Sequence, residues 1–495
     1  MNSAGVPSIR FLCYTHGMTD NPKPDRRTDG VPSDPIVAVA TALAPAALGI
    51  VRASGGGALT LASRVFSRPQ KLLQAASHTL VYGWILDPDT GSKIDEVVAA
   101  VYRAPAGFTG EDAVEIICHG GPAVVTAVYR AFLRAGFRQA EGGEFSLRAF
   151  ANGKTDLTRA EAIGEIIAAK TAEARKKASA RLSGSLSAAF SAIRAKVLEA
   201  AAAVAVEIEY PEDEETVKGA FRPSLIRSAA EDLRALSATW AAEKLYQNGA
   251  ELVLAGATNA GKSRLFNLLL KEERAIVSEI HGTTRDWIEA EADFGGIPVR
   301  LFDTAGLRET SNRIEAEGIS RTRGLLERAD IIFYVVDSAQ GLTGEDRAFL
   351  CGESGKRTPV FLVWNKTDRE DSLPAERIPP EWIPQTGTVF RGVFPVSAKT
   401  GDGLAYLVKC AGETLLANTE SVSAETALGS LRQKKAAENA EACLRTALQN
   451  AEAGFPLDTV IQDLEDALFA LGEITGETVT ADVLEEVFSK FCVGK

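Results

Sequence analysis

Histidine and cysteine are scarce in this 495-residue chain, and positive charge is not in surplus. The four histidines, His16, His78, His119 and His281, lie far apart and leave little material for an imidazole metal centre. The six cysteines (Cys13, Cys118, Cys351, Cys410, Cys443, Cys492) show no C-x-x-C and no paired spacing, which excludes a disulfide framework and a zinc knuckle. Lysine plus arginine number 54 against 66 acids, a formal charge of −12, so the chain is not a non-specific coat for nucleic acid. No G-x-G-x-x-G follows a strand pattern, so a dinucleotide or flavin site of that kind is missing. Long apolar runs are also missing, apart from Ile36 to Val51. That run is short for a membrane span and is interrupted by Pro45, and the acids Asp20, Asp25, Asp29 and Asp34 before it do not suit a leader. It reads as the buried strand-turn-strand start of a domain in a cytoplasmic protein with no membrane partner.

What is present is globular and multidomain. Hydrophobic residues at 45% and charged residues at 24% exclude global disorder. The length suits roughly three domains at about 150 residues each. Residues 1–33 read as a disordered polar extension. Residues 34–153 carry short apolar runs such as Val98–Tyr102 and Ala113–Cys118, broken by turns, and an amphipathic stretch Val124–Ala135, which predicts an α+β domain. In 154–248 glycine and proline thin out and alanine dominates; Leu157, Ala160, Ile163 and Ile167 fall at helical spacing and predict one packed face. Residues 249–415 alternate apolar strands (Leu252–Ala255, Val299–Phe302, Ile331–Val336, Val360–Trp364) with helical stretches, the pattern of a parallel sheet wrapped by helices. Residues 416–495 return to alanine- and glutamate-rich helix. The expected fold is therefore α/β plus α: a P-loop domain inserted into a discontinuous helical domain, preceded by an α+β domain.

Gly256-Ala257-Thr258-Asn259-Ala260-Gly261-Lys262-Ser263 fits G-x-x-x-x-G-K-[ST] between a strand and a helix. Its glycines let backbone N–H groups curl around a phosphate at a helix N-terminus; Lys262 would reach the β- and γ-phosphates and Ser263 would ligate Mg²⁺. Alone the pattern is open to chance. Asp303-Thr304-Ala305-Gly306 follows on the next strand, where a carboxylate holds the Mg²⁺ shell and a glycine amide senses the γ-phosphate. Asn365-Lys366-Thr367-Asp368 then supplies a carboxylate for the N1–H and N2–H₂ of guanine, a donor pair adenine lacks. Ser397-Ala398-Lys399 would back the base with a main-chain amide. In this order the four elements specify GTP.

The module resembles the translation-factor-like GTPases, which makes Thr283-Thr284 the first switch and Thr284 a Mg²⁺ ligand. Where Ras-type proteins carry the water-orienting glutamine, this chain has Leu307. Further strings, Gly282-Thr283-Thr284-Arg285-Asp286, Phe108-Thr109-Gly110-Glu111-Asp112, His119-Gly120-Gly121-Pro122, Gly143 to Phe150, Asn152 to Leu157 and the terminal Phe491-Cys492-Val493-Gly494-Lys495, resemble the MnmE (TrmE) family of tRNA-modification GTPases from about Ile36 to the last residue.

The resemblance implies a nucleotide site lined by Asn259, Ala260, Gly261, Lys262, Ser263 and Arg264, by Ser278, Glu279, Ile280, His281, Gly282, Thr283 and Thr284, by Asp303 to Gly306, and by Asn365, Lys366, Asp368, Ser397, Ala398 and Lys399. It implies a K⁺ held by Asn259, Ser278, Ile280 and Thr283 in the role of an arginine finger, with Glu315 orienting the water. Read without the family, Glu315 is a solvated helix carboxylate. It further implies a 5-formyl- or 5,10-methylene-tetrahydrofolate site on Arg52, Glu115, Lys154 and Lys495, and a functional Cys492; the plain alternatives are surface cations, an exposed strand acid and an inert thiol. The turn Leu43 to Gly49 has lost the glycine- and arginine-rich pattern of the family. A homodimer through the N-terminal domain, a heterotetramer with a flavin-bearing MnmG-type partner and a tRNA substrate complete the expectation. The rival class is an assembly GTPase that binds ribosomal RNA; it would need a basic module after the G motifs, where this chain is acidic and helical. The basic groups Lys170, Arg175, Lys176, Lys177 and Arg181, and Arg432, Lys434 and Lys435, read as helix surface.

Overall fold

The computed structural model describes residues 34–209, 222–271, 289–303, 324–351, 358–375, 378, 389–417 and 426–494. The chain divides into two units, one running through Lys154 and joined by the tail from Val493, the other spanning Thr155–Cys492.

In the first unit the strands are β1 (Ile36–Val39), β2 (Leu48–Ser54), β3 (Thr79–Leu86), β4 (Lys93–Tyr102), β5 (Ala113–His119) and β6 (Arg138–Gln139). They form a sheet in the order β3-β4-β5-β2-β1-β6, antiparallel except for β1 with β6. Helices α1 (Ala58–Ser63), α2 (Pro69–Gln74), α3 (Pro122–Ala135) and α4 (Glu144–Ala151) complete it. Pro122 at the first turn of α3, where no backbone donor is needed, and Gly136 at φ 115 after its end explain its limits. Val125, Val128, Ala131 and Phe132 of α3 bury against Val51, Val114 and Ile116, at roughly 1.5–3 kcal/mol for each large apolar side chain. The β2–β5 register sets Arg52 opposite Glu115.

The second unit opens with α5 (Leu157–Ala168), α6 (Ala172–Leu182), α7 (Ser185–Glu209) and α8 (Pro223–Asn248). It closes with α12 (Leu431–Glu452), α13 (Leu457–Thr475) and α14 (Ala481–Phe488); the intervening elements are given below. Along α7 the residues Leu186, Phe190, Ile193, Val197, Ala200 and Val204 recur at helical spacing. They share one core with Ile226 and Leu233 of α8, Ala440 and Leu444 of α12 and Leu464 and Leu471 of α13. Helices from before and after the α/β insertion thus build a single bundle. On α5 the expected face is only partly realised: Leu157 and Ala160 are fully buried, but Ile167 is 51% exposed. The buried set there is Leu157, Thr158, Ala160 and Ala162, all in the first half of the helix.

Between the helical segments lie β7 (Ala250–Ala255), α9 (Lys262–Lys271), β8 (Glu289–Phe294), β9 (Ile297–Asp303), β10 (Ile331–Asp337), α10 (Gly344–Cys351), β11 (Val360–Asn365), β12 (Phe390–Val396) and α11 (Leu404–Ala417). The sheet order is β12-β11-β10-β7-β9-β8, parallel except for the edge pair β8–β9. Every residue of β10 and β11 is buried, as a sheet covered on both faces requires. The sequence pattern missed β8: Glu-Ala-Glu-Ala-Asp-Phe has no β-branched residue, and its strand conformation comes from pairing with β9.

Candidate functional site

The carboxyl ends of β7, β9, β10, β11 and β12 converge, and the four nucleotide motifs leave from these ends or from the loops just beyond them. After β7 the chain turns at Gly256, φ 127, where an added Cβ would lie 2.1 Å from Val335 O. Gly261, φ 101, faces Asn365 so closely that a Cβ would lie 2.2 Å from Nδ2. Asn259 also takes a left-handed φ of 64, a conformation asparagine tolerates better than most residues. The glycines in the motif are therefore required by close approach of other backbone and side chains.

Lys262 is buried and folds back over its loop, donating to Gly256 O at 2.9 Å and Ala257 O at 2.8 Å. Ser263 donates its hydroxyl to Asp303 Oδ2 at 2.7 Å, which brings together the two groups expected to organise Mg²⁺. The donor set is a hydroxyl and a carboxylate, hard oxygens that suit that ion. Arg264 and Ser263 are exposed and Ala260 is buried. Asn365, 1% exposed, is the hub of the site. Its Nδ2 donates to Ala260 O at 2.8 Å and its Oδ1 accepts from Ala398 N at 3.0 Å, so one amide joins three loops.

Asp368 accepts the Ser397 hydroxyl at 2.7 Å, and Lys399 Nζ lies 3.6 Å from its other oxygen. The Ser397 hydrogen bond, with help from Lys399 and against some desolvation, holds the Asp368 carboxyl below the usual carboxylate range. It is thus ionised and ready to accept two donors from one base edge. Lys366, φ 67, donates to Asp337 Oδ2 at 2.6 Å. Asp337 is a site residue that sequence reasoning missed. It ends β10 directly beside Asn365 in the β10–β11 register, and an aspartate closing a fully apolar strand was the available signal.

In the first unit the Arg52 guanidinium donates from Nε and Nη2 to Glu115 Oε1 at 3.2 and 2.5 Å and from Nη1 to Gly494 O at 3.0 Å. The Phe145 and Phe108 rings flank it, with centroids 5.2 and 5.8 Å from Cζ. Among the described residues Glu115 Oε2 meets only the Tyr102 hydroxyl, at 3.3 Å, which leaves acceptor capacity for a ring carrying N–H donors. The tail is seated by a bridge of Val493 with Gly142, and Gly494, φ 96, is needed because a Cβ would lie 2.7 Å from Val39 O. Lys154 donates to Pro105 O at 2.9 Å. A half-buried ion pair between aromatic rings, with acceptor capacity left on one carboxylate oxygen, suits a flat heterocycle that presents N–H donors. Cys492 is exposed and closes the second unit. Ser278, Glu279, Ile280, His281, Gly282, Thr283, Thr284, Thr304, Ala305, Gly306, Glu315 and Lys495 lie outside the described residues.

The basic groups read as helix surface need correction. Arg181 is 2% exposed and bonded to Glu165 and Glu243; Lys177 pairs with Glu243; Arg432 donates to both oxygens of Glu161. Acids from neighbouring helices neutralise them; Arg181 belongs to the interior, and Lys177 and Arg432 are half-buried. Arg175, Lys176, Lys434 and Lys435 stay on or near the surface.

Residues 157–492 match the family model described as the MnmE helical domain, and residues 35–154 match that of the GTP-binding protein TrmE N-terminus. The tRNA modification GTPase MnmE of Treponema denticola is 51% identical over 469 residues, covering 93% of this chain and 98% of its own. The same-named protein of Carboxydothermus hydrogenoformans is 40% identical over 467 residues, covering 93% and 99%. Among solved structures, Era of Aquifex aeolicus bound to GDP and aluminium fluoride covers 39% of this chain and 66% of its own, at 24% identity and a TM-score of 0.27. Two family models that together span both units, and relatives this similar along nearly the whole length, lead to one conclusion: this chain belongs to the MnmE (TrmE) family of tRNA modification GTPases and is a GTP hydrolase.

Proposed function

We propose that the chain is a potassium-activated GTPase that works with a flavin-bearing MnmG-type partner to add an aminomethyl or carboxymethylaminomethyl group at C5 of the tRNA wobble uridine. The observation that carries the reading is the seating of the C-terminal tail, Val493–Gly494, on Arg52 beside Glu115, because it unites the terminal motif with an ion pair flanked by aromatic rings. In the nucleotide site Lys262 meets the phosphates, Ser263 and Thr284 ligate Mg²⁺, Asp303 orders the metal's shell, and Asp368 reads guanine, backed by the Ala398 amide. Asn259, Ser278, Ile280 and Thr283 hold K⁺, which supplies the charge that an arginine finger supplies elsewhere. Glu315 orients the attacking water, a task Leu307 cannot perform.

In the N-terminal domain, which forms the homodimer, Glu115 accepts the ring N–H groups of tetrahydrofolate and Arg52 orients that carboxylate. Lys154 and Lys495 meet the anionic tail. Tetrahydrofolate supplies the one-carbon unit when bound. Cys492, exposed, is the candidate functional thiol of the terminal motif. Because Arg181 and Arg432 spend their charge internally, this chain holds tRNA weakly alone and the partner makes most phosphate contacts, in a cytoplasmic heterotetramer.

The test is mass spectrometry of wobble uridine in a deletion strain carrying the wild-type chain or Arg52→Ala. Loss of the modification in the deletion and in the variant is expected. Intact modification in the deletion, with stalled ribosomal subunits, would instead identify an RNA-assembly GTPase. GTP turnover equal in sodium and potassium would refute the cation mechanism.

A further inference from the structure

Helix α6 is gripped at both ends, and its two grips belong to different parts of the second unit. At its N-terminus Thr171 caps the helix, accepting from Ala174 N at 3.2 Å. The same hydroxyl donates to Gly296 O at 2.6 Å, in the turn between β8 and β9. Gly296 is at φ 93, and a Cβ there would lie 2.7 Å from Glu173 Cβ. Lys170, just before α6, pairs with Glu291 of β8, whose other oxygen is buried without a hydrogen-bond partner among the described residues. At the far end Arg181 bonds Glu165 Oε2 at 2.6 Å and Glu243 Oε2 at 2.8 Å. Glu165 in turn lies against Gly429, where a Cβ would come within 2.2 Å of Oε1, and Gly429 immediately precedes the Ser430 cap of α12.

The other end of the same hairpin is the nucleotide site. Strand β9 runs without interruption from the Gly296 turn to Asp303, the partner of Ser263. It is bonded along its length to β7 and β8, so one continuous hydrogen-bonded strand joins Asp303 to the turn. The contact between turn and helix is much weaker than the strand. Its polar part is one neutral hydrogen bond and one partly exposed ion pair, each a small contribution beside a strand's hydrogen-bond ladder. A stiff strand meeting a helix through a small, separable contact is suited to passing on or withholding a displacement.

We propose that Gly296, Thr171 and Lys170 are positioning residues that couple the nucleotide site to the helical bundle, with α6 as the moving part and Arg181–Glu165 as its seat in the bundle. The inference needs only that the site binds GTP, and stands apart from the folate and partner readings.

The test is hydrogen exchange on the full chain in potassium buffer, with GDP and then with GDP and aluminium fluoride. In the wild type, amides of residues 170–182 should change protection by about fivefold or more between the two states. In Gly296→Ala, residues 289–303 should still respond while residues 170–182 do not, with GTP turnover within about twofold of wild type as the check on folding. Should Gly296→Ala fail that check, charge reversal decides: Lys170→Glu should lose the response of 170–182, and adding Glu291→Lys should restore it. No response of 170–182 in the wild type, an equal response in Gly296→Ala, or a double reversal that restores nothing would overturn the proposal.

Discussion

Replacing Asn365 by alanine removes the amide that ties the phosphate loop to both base loops. In the folded chain Nδ2 donates to Ala260 O at 2.8 Å and Oδ1 accepts from Ala398 N at 3.0 Å, and the side chain is buried. Truncation strands one acceptor and one donor in a site closed to water, at about 1–3 kcal/mol each. If about 3 kcal/mol of this appears as loosened loops that GTP must reorder, affinity falls roughly 150-fold. Asn365→Asp is the sharper control. It keeps the acceptor for Ala398 but sets a carboxylate oxygen against the Ala260 carbonyl, a contact that is favourable only when the new acid is protonated. GTP affinity of Asn365→Asp should therefore recover as pH falls, whereas that of Asn365→Ala should follow the wild type. Equilibrium titration with a fluorescent GTP analogue at several pH values reads both effects, with thermal unfolding to confirm the fold. An alanine variant within threefold of wild type, or an aspartate variant with no added pH dependence, would refute the role of Asn365 as the hub.

Asp368→Asn presents an amide donor to the base and should invert preference from GTP to xanthosine triphosphate, by roughly tenfold or more in competition binding. An unchanged preference would mean that Asp368 does not face the base. Glu115→Gln keeps an acceptor for Arg52 but removes the charge. Binding of 5-formyl-tetrahydrofolate, followed by fluorescence, should weaken roughly tenfold, and normal binding would remove Glu115 from that site. Burial pushes the Glu165 carboxyl up to about 7 from its ordinary 4.5, with Glu161 and Glu243 adding to the shift and Arg181 opposing it. The folded chain therefore holds a proton that the unfolded chain releases, so this group's stabilisation is full below pH 4.5 and is lost as pH rises toward 7. In thermal melts the wild type should lose stability relative to Glu165→Gln across that window, by at most about 1.4 kcal/mol per pH unit, and parallel curves would refute the assignment.

The nucleotide loops were legible because their requirements are local. Gly256 and Gly261 answer left-handed turns, and Lys262 and Ser263 follow them by fixed spacing. Asp337 showed only as an aspartate closing an apolar strand, because what makes it a site residue is Lys366, just past the end of β11, reaching it. For the same reason Arg181 and Arg432 were mistaken for surface. On a single helix a basic residue in an acidic neighbourhood looks solvated, and only packing against other helices brings Glu165 of α5 and Glu243 of α8 against Arg181, and Glu161 of α5 against Arg432. Ile167 failed in the opposite sense, since helical periodicity names a face but not whether another element covers it.

By itself the sequence determined the alternation of strand and helix, the insertion of the α/β segment between two helical stretches, and the residue types at each phosphate and base loop. These follow from turn chemistry and hydrophobic periodicity, which act over a few residues. Tertiary structure decided how charges are spent and which loops are joined. Asn365 binds three loops, Arg52 meets a tail 442 residues away, and a strand without β-branched residues becomes a strand because β9 pairs with it. Those outcomes depend on burial and on hydrogen-bond partners that only chain closure supplies, and the energy of a buried polar group is set by its partner rather than by its neighbours in sequence.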